Sequence, residues 1–168
     1  MELSLKMLVN TKTRHNRCDD FCIVLNFIDM QKQQIIKRMS QGFILLSAFA
    51  LLSVSAMAFR SPQSVMDLVG VKLTNNDAFS SIRGVYGGVG LTLFIALLYL
   101  MFRNITNGLA LLTLLWGFYA LSRVVTIFSE GSLGQFGSQW LWIESSLCLV
   151  AVVLLWCQTR VSSLKIRV

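Results

Sequence analysis

Residues 80–90 read Ser-Ser-Ile-Arg-Gly-Val-Tyr-Gly-Gly-Val-Gly, an arginine and four glycines at the head of an uncharged apolar run that continues to Phe102. Gly84 and Gly88 stand four apart, so on a helix they share one face, and with Gly87 they are expected to let a neighbouring backbone come close. Arg83 sets a permanent charge where that approach begins. The stretch predicts the outer mouth of a transmembrane helix, and the rest of the chain is organised around it.

Composition supports that reading. Of 168 residues, 55% are hydrophobic and 14% charged, and the mean hydropathy is +0.65, which ordinary soluble domains do not reach. The formal net charge of +7 raises nucleic acid as a partner. The basic residues instead gather at the two ends and flank apolar runs, without a stripe of interleaved aromatics, so they read as topology signals and the partner expected is the lipid bilayer. The fold class predicted is all-α, an integral membrane four-helix bundle with a short interfacial helix in its first outer loop.

The segment 1–38 is polar, with only a short apolar patch from Phe21 to Ile28, too short to span. It reads as a weakly ordered cytoplasmic tail or as a start assigned too early, the reading preferred here, since Met30 and Met39 both sit just ahead of the first long apolar run. Cys18 and Cys22, with His15 nearby, lack the second pair of ligands a zinc site needs and are expected to be free thiols. The membrane domain is expected over 39–160, with spans at about 42–59, 84–102, 108–128 and 139–157, followed by a basic tail, 161–168. The first span has a rival reading. Its basic lead, apolar middle and Ser-Val-Ser-Ala-Met-Ala ending also fit a cleaved signal peptide.

Between the first two spans, Ser61-Pro62 predicts a short helix start and Thr74, Asn75 and Asn76 offer caps for the next helix, with Asp77 in its first turn. This connection is expected to lie over the bundle as a lid. Arg103-Asn104 makes so short a turn that the second and third spans must form an antiparallel hairpin. Trp140 and Trp142 at one end of the last span and Trp156 at the other mark the two water interfaces. Lysine and arginine crowd the N-terminal tail, the Arg103 turn and the C-terminal tail, which predicts both termini in the cytoplasm of a multi-pass protein.

On that topology Arg83, Arg123 and Glu144, from three different spans, fall at one depth. An unpaired charge near a helix centre costs about 2.5–3.5 kcal/mol on insertion scales, so pairing of Glu144 with an arginine is expected. Trp116 and Tyr119 share a helical face with Arg123, and Trp140 and Cys148 share one with Glu144, so these faces are expected to point inward, with Tyr86 beside them as pocket lining. The glycine cluster does not match dinucleotide or phosphate-loop spacing, and the one histidine lies in the N-terminal tail, so no catalytic, cofactor or metal residue is assigned.

Leu68-Val69-Gly70-Val71, the Ile82-Arg83-Gly84-Val85-Tyr86-Gly87-Gly88 block, Arg123 late in an apolar helix, Glu130-Gly131 after it and Glu144 in the last helix together resemble the small four-helix membrane proteins grouped as domain-of-unknown-function family 4345. The resemblance covers about Met39 to Cys157; Ser132 departs from it, standing where that family usually has proline. It implies four spans and a retained first helix, and it carries no established activity. Two functions remain open from the sequence. One is a non-enzymatic accessory or subunit protein, as a homo-oligomer or within a larger membrane complex, whose charge layer of Arg83, Arg123 and Glu144 is an internal staple. The other is a carrier or membrane enzyme in which both arginines hold a small anion and Glu144 exchanges a proton.

Overall fold

The computed structural model describes the backbone of residues 2–165 and the side chains of residues 30–160. No glycine or proline occurs before Gly42, so no residue in that stretch breaks a helix. Helix α1 accordingly runs Glu2–Arg60, and the segment expected to be a weakly ordered tail is helical. By internal contacts the chain forms two units, Met1–Ile36 and Lys37–Val168. The side chains of His15, Cys18 and Cys22 lie outside the described residues.

Pro62–Asp67 form α2, a helix opened by proline at its first position, with the extended Ser61 as its cap residue. The Ser61 hydroxyl accepts from Ser64 Oγ at 3.0 Å in place of a backbone N–H. Of the three candidate caps for α3 (Asn76–Ile82), Asn75 is the one used: its Oδ1 accepts from the Ala78 N–H at 2.8 Å. The helix then widens into a π-helical segment, Arg83–Val89, before returning to α geometry in α4, Gly90–Arg103. The helical mouth expected here has π geometry, and Gly84, Gly87 and Gly88, lacking side chains, tolerate the wider turn. Only Asn104 separates α4 from α5, Ile105–Ser129, and its side chain caps α5 by accepting from the Asn107 N–H at 3.2 Å. Gly131, at φ +102°, turns the chain toward α6, Gln135–Lys165.

Four stretches are long and apolar enough to cross a membrane, Met30–Arg60, Asn76–Arg103, Ile105–Ser129 and Gln135–Arg160, and each contains the span expected from sequence. The described residues hold no strand. A shared apolar core draws on all four stretches: Ile44 and Ala48 on α1, Leu97 and Met101 on α4, Leu109, Leu112 and Trp116 on α5, Ala151 and Leu154 on α6. Large apolar side chains also face outward, Phe128 at 86% exposure among them. Water would make that surface a liability, whereas lipid is as apolar as the side chains themselves.

The connection between α1 and α3 folds back on the helices it joins. Val65 and Met66 pack with Ala58, and Leu73, Ile82 and Tyr86 close around them. Gln63 ties this connection down, donating to Asp67 Oδ1 at 2.7 Å and to the Val71 carbonyl at 2.9 Å, while its Oε1 accepts from the Leu73 N–H at 2.9 Å. Gly70 makes the reversal at φ +72°, a left-handed conformation that costs glycine little.

Of the three glycines expected to let a neighbour approach, Gly87 does so, whereas Gly84 and Gly88 do not. A Cβ at Gly84 or Gly88 would meet nothing within 4 Å, whereas one at Gly87 would lie 3.1 Å from the Phe59 ring and one at Gly90 3.2 Å from Ser55 Cβ. The reason is phase. Gly87 and Gly90 continue, at steps of three and four, the line of Phe94, Leu97 and Met101 that packs into the core, while Gly84 and Gly88 fall beside it. Gly108 provides a third approach, 3.0 Å from Ile44 Cδ1 to an added Cβ.

Candidate functional site

Helices α5 and α6 pack against each other along much of their length. In their antiparallel register Cys148 lies against Gly117, 3.5 Å from where its Cβ would be, and its thiol points at the Thr113 carbonyl at 3.7 Å. The same register brings Arg123 on α5 to Glu144 on α6. Arg123 Nε donates to Glu144 Oε2 at 2.6 Å and Nη2 donates to Oε1 at 2.9 Å, a two-pronged match of planar guanidinium to planar carboxylate. Glu144 is 3% exposed and Arg123 22%. The acid is sealed, and the base keeps one side toward the surface.

The two tyrosines expected as lining, Tyr86 and Tyr119, lie within electrostatic range of this pair. Tyr86 is half-buried and belongs to the cluster under the α1–α3 connection. The Tyr119 ring sits 6.2 Å from that of Trp116, which is buried in the shared core and whose indole N–H meets no acceptor among the described residues. Trp140 packs on Phe136, with ring centroids 6.0 Å apart. Arg83 stands apart as well. It is exposed and lines an open hollow with Asn76, Phe79 and Ser80, and it makes no ion pair among the described residues. Of the three charges expected in one layer, the structure brings two together.

Sequence reading missed three residues that fix how α1 meets the second span. Ser55 is buried and its hydroxyl donates to the Gly87 carbonyl at 2.6 Å, Phe59 covers Gly87, and Phe49 stacks on Phe94 at 5.9 Å. The signal was present in the spacing of Ile44, Ala48, Leu51 and Ser55, steps of four, three and four that mark one face of α1. Among the described residues no group of three histidine, cysteine or acidic side chains is placed to hold a metal ion.

An all-α chain with four long apolar helices, two of them joined by a buried arginine–glutamate pair, defines the class: a multi-pass membrane protein. The chain belongs to the family described as domain of unknown function (DUF4345), whose model matches residues 39–155. No curated protein and no solved structure matches it.

Proposed function

We propose that this is a non-enzymatic accessory or subunit protein of a membrane, a bundle of about 39–160 in which the Arg123–Glu144 pair is an internal staple between its last two spans. The observation that carries the reading is the geometry of the pair. Both carboxylate oxygens of Glu144 are occupied by the same guanidinium, at 2.6 and 2.9 Å, and the acid is buried. A proton-exchanging acid needs a route to water, and an anion-binding arginine needs a free fork. The carrier reading further requires Arg83 beside Arg123, and Arg83 lines a separate hollow. Both termini on the cytoplasmic side belong to the same proposal and rest on the basic flanks.

The test replaces both partners with leucine. Apolar replacement of a buried pair is often neutral, because two desolvation penalties disappear with the attraction. The Arg123→Leu, Glu144→Leu double variant should therefore accumulate in the membrane near the parent level and restore whatever phenotype a deletion produces. A double variant that accumulates normally and restores nothing would show that the charges act on a ligand and would overturn the staple.

A further inference from the structure

The hollow at Arg83 has the makings of a site of its own, independent of the ion pair. Asn76, Ser80 and Arg83 stand four and three residues apart and Phe79 lies between them, so all four share one face of the helix. They line an open hollow of about 420 Å³ to which no carboxylate among the described residues contributes. None of the three polar side chains has a hydrogen-bond partner among the described residues, although the neighbouring Asn75 and Gln63 are both engaged. An amide, a hydroxyl and a guanidinium, all able to donate, thus face one concavity beside an aromatic ring.

Depth supplies the ligand. The uncharged run 84–102 rises about 28 Å at about 1.5 Å per residue, close to the hydrocarbon thickness of a bilayer. The helical rod extends from Asn76 to Arg103, so residues 76–83 stand beyond that run, at the level of the headgroups. A phosphate there meets a fork of donors that arginine presents better than any other side chain. The acyl end of the same molecule would leave along Phe79 and the apolar face below it.

We infer that Asn76, Ser80 and Arg83 hold the phosphate of an anionic phospholipid, with Phe79 against its glycerol or upper acyl carbons. The unpaired positive charge selects an anionic headgroup over a zwitterionic one, whose own cation it repels. Asp77 lies in the same first turn but about 100° round the helix, outside the hollow. The site asks for no movement and no reaction.

The test uses the full chain in a non-ionic detergent, titrated with phosphatidylglycerol or phosphatidylcholine, with retained lipid counted by native mass spectrometry. The parent chain should retain phosphatidylglycerol in preference to phosphatidylcholine. Arg83→Gln should weaken that retention roughly tenfold, the scale of a lost charge-assisted hydrogen bond. Should Arg83→Gln fail to accumulate, Asn76→Ala with Ser80→Ala keeps the charge and should still lower retention several-fold. Equal retention of the two lipids, or retention unchanged in either variant, overturns the proposal. So does displacement of phosphatidylglycerol by inorganic phosphate at comparable concentration, which would make the site one for a free anion.

Discussion

A carboxylate between two apolar helices is tolerable only while its partner stays in place. Glu144→Gln keeps the shape of the side chain and removes its charge, leaving Arg123 without a counter-ion; breaking a buried pair in this way costs about 3–5 kcal/mol. Thermal melting in detergent should show the loss, and an unchanged melting point would mean that Arg123 is solvated. The glycines offer a second contrast at this scale. A side chain at position 90 would be driven against Ser55, whose Cβ lies 3.2 Å from an added Cβ, while position 84 faces open space. Gly90→Leu should destabilise by about 1–3 kcal/mol, the usual cost of overpacking, and Gly84→Leu by much less. The ranking of the two is the prediction, read from the same melts.

Helices in this protein are kept in register by a few side chains that serve the backbone. Within the π-helical segment the carbonyl of Gly87 accepts from Ser55 across the α1 contact, in a setting without water to take its place. Ser55→Ala should cost about 0.6–1.7 kcal/mol, between the average and the maximum found for polar contacts between membrane helices. Amide exchange should also rise locally over 83–89. Asn104 carries the hairpin of α4 and α5 alone, as the single residue between them and the cap of the second. Asn104→Ala should lower stability by about 1 kcal/mol through loss of the cap, and Asn104→Asp should not. A tolerated alanine would mean that the hairpin is held by the packing of its core residues.

For the whole molecule the consequence of four spans is a defined sidedness. The α4–α5 turn carries Arg103 and the connection beyond α5 carries no lysine or arginine, and the span between them sets those two connections on opposite faces of the membrane. A cysteine introduced at Ser132 should react with a membrane-impermeant maleimide in intact cells, and one introduced at Asn107 only after permeabilisation. Labelling of both from one side would remove a span from the count. Reversed labelling would leave the bundle intact and turn it over.

Helix number and helix type were legible in the sequence because they are sums of local properties. Each span is a long apolar run with at most one charge, Asn75 stands among the candidate caps just ahead of the second helix, and a turn as short as Arg103-Asn104 permits only a hairpin. The pairing of Arg123 with Glu144 was also within reach, since depth follows from residue count and a charge in lipid seeks its opposite. Rotation of each helix about its axis was not. Whether Gly84 and Gly88 or Gly87 and Gly90 meet a neighbour, and whether Arg83 turns toward Glu144 or toward Asn76 and Ser80, depends on which face of one helix lies against another. An apolar helix with small residues on two faces does not specify that by itself. Only the packing of Ile44, Ser55 and Phe59 against the second and third spans selects the face, because those contacts exist only once the helices have come together.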